Sequence, residues 1–232
     1  MIPFDSIYDI EGRKRDPRIG TFWSRRAGLT ATPDTSKHRE NQLITRSHAG
    51  DRAAMRELVD LHKDRLFAFI WRMVRDHHET EDICQDAFLK AFASLNSFSS
   101  EFRFSTWLFT IGYRVCLNRL RRKRSASTEI DFAAMESREG SDTPEFVTSE
   151  EAGKIRSLVW EAVDQLSPPQ RAAVLLFYRH DFGCHEIARV LEVPLATVKS
   201  HLHRARARLR EILESNTAAE LNDFRNLSER AG

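Results

Sequence analysis

Apolar residues recur at helical spacing in two separated stretches of the chain. After Gly50-Asp51, Met55, Leu58, Val59, Leu66, Phe69, Ile70, Met73 and Val74 fall on one face of a 3.6-residue period, which predicts an amphipathic helix. The same period predicts a second helix over about 79–95 and a third over about 104–124, with Ser97, Ser99 and Ser100 marking the loop between them. On the second helix Cys84, Ala87, Phe88, Ala91, Phe92 and Leu95 form the buried stripe, while Asp82, Gln85, Asp86 and Leu89 share the opposite face. Periodicity resumes at Ile155, Leu158, Val159, Val163 and Leu166. Pro168-Pro169 then break the chain and open a further helix through Tyr178, because proline lacks the N–H of a helix interior but fits a first turn.

Residues 184–203, CHEIARVLEVPLATVKSHLH, read as two helices joined by a tight turn. Small Ala188 permits close approach of the helices, and Pro194 stops the first from continuing. On the second helix Val198, Leu202, Ala205, Leu209, Ile212 and Leu213 form an apolar arc. Roughly opposite lie Lys199, Ser200, His203, Arg206 and Arg210, with Arg204 at the edge. Residues 196–210 hold five Lys/Arg and no acid. A helix with one apolar stripe and a basic outer face can bury itself and still enter a major groove, where Arg and Lys meet guanine edges or phosphates.

Between the two helical stretches the composition changes. Residues 125–153 carry eight Asp/Glu against one Lys/Arg and few large apolar residues, so they are expected to form a flexible acidic linker. Residues 1–39 mix Arg, Pro, Gly, Ser and Thr without sustained periodicity and are expected to be a disordered arm. The division that follows is an arm over 1–39, a helical domain over 40–124, a linker over 125–153, a helix-turn-helix domain over 154–213 and a tail over 214–232. The expected fold is all-α, two small helical domains on a tether.

The net charge of +2 conceals this segregation, two basic segments flanking an acidic one, and nucleic acid is the partner it suggests. No apolar run approaches the eighteen or more residues of a membrane span, so membrane insertion is not expected, and no secretory signal is read at the start. Three scattered cysteines, Cys84, Cys116 and Cys184, suit a reducing cytoplasm; Cys84 and Cys116 are expected to be inert small hydrophobes. An acidic face containing a leucine, as on the second helix, suits a protein surface rather than DNA. The third helix instead sets Phe104, Trp107 and Leu108 beside Arg114, Arg119, Arg121, Arg122, Lys123 and Arg124. Rings beside cations suit single-stranded nucleic acid. Yet those rings lie at core spacing, so contact with bases is assigned to the loop before them.

In this order the parts resemble the sigma-70 family, specifically its compact extracytoplasmic-function (ECF) members. Glu79-Thr-Glu81-Asp82-Ile-Cys-Gln85-Asp86-Ala-Phe88 looks like region 2.2, and Phe104-Ser-Thr-Trp107-Leu108 like the start of regions 2.3 and 2.4. Leu166-Ser-Pro-Pro-Gln170-Arg171 and Thr197-Val198-Lys199-Ser200 look like region 4. The resemblance implies a non-catalytic, cofactor-free subunit that binds core RNA polymerase, through the β′ clamp and the β flap, and promoter DNA. It further implies an anti-sigma partner and a cytoplasmic location. Asp82, Gln85, Asp86 and Leu89 would meet the polymerase. Asn96, Ser97, Phe98, Arg103, Arg114, Asn118, Arg119, Arg121 and Arg122 would serve the −10 element, where flipping out a base costs a few kcal/mol and couples capture to melting. Thr197, Lys199, Ser200, His203, Arg204 and Arg206 would serve the −35 element.

Two positions depart from the family pattern. Ile111-Gly112-Tyr113-Arg114 stands where Ile-Ala-Arg-Asn is frequent, with Gly112 costing about 1 kcal/mol inside a helix. Glu192 stands at a turn where Gly is common, and a left-handed backbone there costs roughly 1–2 kcal/mol. The linker fits the implied function: 29 residues reach roughly 95 Å drawn out, against about 70 Å between two DNA elements two turns apart. A LuxR-type regulator is the alternative, since Thr197-Val198-Lys199-Ser200-His201-Leu202 also fits that recognition helix, but it leaves the first domain unexplained. A metal enzyme or sensor built on His77, His78 and Cys84, or on His180, Cys184 and His185, lacks the spacing of a structural zinc site, and no metal ligand is assigned.

Overall fold

The computed structural model describes residues 33–127 and 150–230, with side chains described over 38–123 and 156–215. Most of the arm and of the acidic linker therefore lies outside the described residues. Every regular element among those described is helical.

Helix α1 (Pro33–His48) precedes the first periodic stretch, so residues 33–39, expected to be part of a disordered arm, are helical. Leu43 and Ile44 supply the reason: both are buried against α2 (Arg52–Val74). Between the two helices the chain turns through Gly50 at φ 85°, and Asp51 then caps α2 by accepting from the backbone N–H of Ala53 and Ala54 at 2.8 and 3.2 Å. Arg46 reinforces this cap, and both hydrogen bonding to Arg46 and the two backbone donors hold the Asp51 carboxyl below the usual carboxylate range.

Helix α3 spans His77–Ala93, two residues earlier than expected, because Asp76 is its N-cap and accepts from Glu79 N at 2.9 Å. A single 3-10 turn (Leu95–Ser97) leads to α4 (Phe104–Ser127). Helices α2, α3 and α4 enclose one core of Leu58, Leu66, Phe69, Ile70, Ile83, Ala87, Phe104, Leu108 and Phe109, all fully buried or nearly so. Gly112 sits at the α2–α4 contact: a Cβ there would lie 2.9 Å from Leu66 Cδ1, so that side chain would have to shift. Close approach of two helices is what the lost helix propensity obtains.

The second half contains α5 (Glu150–Asp164), α6 (Pro168–Val174) continued by a π-helical turn (Leu175–Arg179), α7 (Cys184–Leu191) and α8 (Leu195–Arg230). The apolar arc expected on α8 is buried at Val198, Leu202, Ala205, Leu209 and Ile212. Arg171 ties the α5–α6 corner by donating to the carbonyls of Leu166 and Asp164, and it reaches Arg72 O on α2 at 3.4 Å.

That last bond crosses between the halves, and it is not isolated. Arg75 pairs with Asp164 at 3.0 Å, and the Arg72 guanidinium lies 3.6 Å from the Trp160 ring centre. Further along, His180 is inserted between Phe69 and Phe109, with ring centres 6.0 and 5.2 Å away, and Phe182 packs on Phe109 at 5.1 Å. Arg65 donates to His180 O at 2.7 Å. The two halves thus share a buried aromatic seam, which nothing in the periodicity announced.

Candidate functional site

Three surfaces collect the residues singled out from the sequence. The first is the outer face of α3. Asp82 and Gln85 are exposed, Asp86 is half-buried, and Leu89 is 62% exposed, one of two large apolar side chains so open among the described residues. Beside it Val59, Lys63 and Phe67 of α2 complete a shallow groove with Asp82, Gln85 and Leu89. The α2 wall is missed in the sequence because Val59 falls within the core stripe and Lys63 and Phe67 belong to no motif. An exposed leucine set in an apolar groove with carboxylates at its edge has the composition of a protein-docking surface.

The second surface is α4 with the loop before it. Arg114, Asn118, Arg121 and Arg122 are exposed on successive turns of one face. Arg119 diverges from them and lies 3.9 Å from Asp82, while Lys123 reaches Glu79 at 3.1 Å. In the loop, Asn96 and Ser97 are exposed and Asn96 Oδ1 lies 3.1 Å from His48 Nδ1. Phe98 is half-buried, its ring centre 5.7 Å from Phe104 and 5.4 Å from Trp107. Its ring anchors the loop to the core, and Phe102 and Arg103 lead directly into α4.

Helix α7 lies against this second surface. Thr106 Oγ1 donates to Glu186 Oε1 at 3.1 Å, and Arg103 Nε lies 4.0 Å from the same oxygen. The other oxygen of Glu186 accepts from Gly183 N at 2.9 Å and so closes the start of α7. Arg189 sits over the ring of Phe102. Arg114 grips Glu192 with two donors, Nε to Oε2 at 2.8 Å and Nη2 to Oε1. Hydrogen bonding to Arg114 holds the Glu192 carboxyl below the usual carboxylate range, and the same bond raises Arg114. The two positions that depart from the family pattern are thus bonded to each other. Glu192 does adopt the left-handed conformation, φ 56° and ψ 44°, and the Val193 N–H bonds Ala188 O at 3.0 Å to close the turn. An exposed ion pair contributes at most about 1 kcal/mol, so the aromatic seam supplies most of the attraction and the charges supply register.

The third surface is the outer face of α8. Lys199, His203 and Arg204 are exposed, and Thr197 and Ser200 are half-buried beside them. Arg206 points otherwise: its Nε donates to Tyr178 Oη at 2.8 Å, so it is held within the helix-turn-helix unit.

Cysteine and histidine chemistry is muted. Burial pushes the thiols of Cys84 and Cys116 up to about 12, which leaves no thiolate at neutral pH. His77 and His78 lie near Glu81, one ligand atom from each within 4.8 Å of the others, all on exposed side chains at a helix start whose dipole disfavours cations; Cys84 is not in the group. No helix among the described residues is long and apolar enough to cross a membrane.

Comparison with known proteins identifies the two halves. Residues 58–126 match the family model Sigma-70 region 2, and residues 156–209 match Sigma-70, region 4. The ECF RNA polymerase sigma factor SigW of Bacillus subtilis is 31% identical over 173 residues, 71% of this chain and 91% of that protein. The RNA polymerase sigma-H factor of Pseudomonas aeruginosa is 29% identical over 185 residues, 77% and 96% of the two chains. Among solved structures, the sigma factor RpoE of Bartonella quintana, crystallised with the anti-sigma factor NepR, superposes with a TM-score of 0.59 at 26% identity, covering 68% of this chain and 96% of that one.

Proposed function

This chain belongs to the ECF sigma factors of the sigma-70 family, and on that premise we propose how its three surfaces divide the work of promoter recognition. It is an alternative, non-enzymatic sigma subunit that binds core RNA polymerase and directs initiation through −10 and −35 elements. The observation that carries this function is the pair of sigma-70 matches, region 2 then region 4, in order on one chain. Nothing in the comparisons favours a LuxR-type regulator.

The groove around Leu89, with Asp82, Gln85 and Asp86, docks on the polymerase β′ clamp. Its exposed leucine supports the assignment, since a solvated helix face has no use for one. The loop 96–103 and the face carrying Arg114, Asn118, Arg121 and Arg122 take the −10 strand, with guanidinium groups on phosphates and the loop on unstacked bases. Lys199, Ser200, His203 and Arg204 of α8 enter the −35 major groove, and Thr197 contacts a phosphate. Arg206, tied to Tyr178, supports the recognition helix from behind. An anti-sigma factor is a further partner, as for the Bartonella quintana relative.

Reconstitution tests this division. Purified protein with sigma-free core polymerase and fragmented genomic DNA is expected to yield discrete new transcript starts that share two upstream elements. Asp86→Arg is expected to reduce core binding and those starts together. Core affinity left untouched by Asp86→Arg removes the α3 face from the polymerase interface.

A further inference from the structure

Beside the α3 groove stand two imidazoles to which the function proposed above gives no task. His77 Nδ1 lies 3.6 Å and His78 Nδ1 3.9 Å from the same oxygen, Oε2 of Glu81, and one ligand atom from each residue is within 4.8 Å of the others. Spacings of four and three residues bring Glu81 alongside both rings on the next turn. All nine histidines of the chain fall within the described residues, and among those residues this is the one place where three ligands of this kind gather. His77 is more than a loose surface ring. It packs edge-on against Phe67 and Trp71 of α2, with ring centres 5.5 and 6.3 Å away, so one ligand is held before an ion arrives.

We propose that His77, His78 and Glu81 form a surface site for a divalent transition cation of the Zn2+, Ni2+ or Cu2+ class, at the rim of the α3 groove. Two imidazole nitrogens and one carboxylate oxygen suit these ions, whereas Mg2+ and Ca2+ take oxygen ligands. A tetrahedral ion spaces its ligand atoms by about 3.4 Å, so the exposed side chains of His78 and Glu81 need to close by only about an ångström, with water as the fourth ligand. The dipole of α3 opposes a cation here, but the Asp76 carboxylate already caps that end by accepting from Glu79 N. What remains of the dipole lowers affinity by about fivefold at most. Glu81 also lines the groove with Asp82, Gln85 and Leu89. An ion held there turns a negative rim positive beside the surface assigned to polymerase, so docking weakens when the ion is bound. That consequence, unlike the site itself, rests on the docking assignment.

The test uses the full-length protein. Calorimetry with Zn2+ reads stoichiometry and affinity, and quenching of tryptophan emission by Cu2+ reads place, because Trp71 is the indole beside His77. Wild type is expected to bind one ion per chain with micromolar affinity. Glu81→Gln and His78→Ala are expected to weaken binding about tenfold or more; the His78 side chain is 95% exposed, so its removal leaves the fold intact. Trp71→Phe is expected to lose most of the quenching while still binding Zn2+, and His185→Ala to change nothing. Saturation only at millimolar ion, equal affinity in His78→Ala, or loss of binding in His185→Ala each overturns the site. Core polymerase binding is then compared with and without Zn2+. A weakening of about threefold is expected in the wild type and none in His78→Ala. Core affinity that ignores the ion in the wild type overturns the coupling to the groove. Absence of core binding under both conditions overturns the docking assignment instead, and calorimetry judges the metal site independently of it.

Discussion

The two basic helices of this protein, α4 and α8, are equipped alike and placed differently. On α8 the run 196–210 contains five Lys/Arg and no acid, and Lys199, His203 and Arg204 stand exposed. Around α4 several cations meet carboxylates: Arg103 near Glu186, Arg114 on Glu192, Arg119 near Asp82 and Lys123 on Glu79. The same residue types therefore serve two different states. On the assignment proposed above, α8 is ready for duplex DNA as it stands; on α4, Arg114, Arg119 and Lys123 meet carboxylates while Arg121 and Arg122 stay exposed.

The largest expected effect falls on the ready helix. Arg204→Ala should weaken promoter-duplex binding by about 1–3 kcal/mol at fixed salt if the side chain meets a base edge. Its scattering profile should match the wild type, since Arg204 lies away from the seam. Unchanged affinity and unchanged sequence preference would take Arg204 out of the interface.

A second prediction addresses the seam between the halves through pH. Burial, with the charges of Arg65 on α2 and Arg179 on its own segment, pushes His180 down to about 3, and Asp181 is the acid beside it in sequence. His180 Nε2 has no hydrogen-bond partner among the described residues. In the open chain the ring faces water and titrates near 6.5. The closed form binds fewer protons, so its advantage is complete above about pH 6.5 and declines as pH falls toward 3. At pH 5.5 the loss is about 1.4 kcal/mol, close to a tenfold shift toward the open form. Scattering between pH 8 and 5.5 should show expansion, and His180→Phe should abolish it; a pH-independent profile would show that His180 stays dry when the halves part.

The smallest effect concerns the packing of α4 on α2. Gly112→Ala gains helix propensity of about 1 kcal/mol but drives a methyl into Leu66, and overpacking costs about 1–3 kcal/mol. A net destabilisation of about 1 kcal/mol in urea denaturation is expected. Stabilisation instead would mean that Leu66 turns aside freely and that the glycine serves something other than the α2–α4 approach.

Much of this molecule was legible along the chain because helices are local. Periodicity located α2, α3, α4 and the helix-turn-helix to within a few residues, and the apolar arc of α8 is the buried one. Helix α1 escaped because it is polar overall and buries little beyond Leu43, Ile44 and Ser47, too sparse a stripe to register. Among the candidate site residues, the α3 face and the exposed face of α8 follow directly from helical geometry. Arg119 and Arg206 could not be sorted that way, since each is claimed by a partner far along the sequence or on another helix, Asp82 and Tyr178.

What the sequence determined by itself was thus the identity of the parts: two amphipathic helical units, their charge, and motifs specific enough to indicate a sigma factor. Only the tertiary structure decided how the units meet. Arg114 and Glu192 are 78 positions apart, and each looked like a local departure with a local cost. Their pairing depends on His180 and Phe182 entering the Phe69–Phe109 cluster, an apolar fit with no period and no fixed spacing. Periodicity reports which face of a helix is buried; it carries no information about what covers that face.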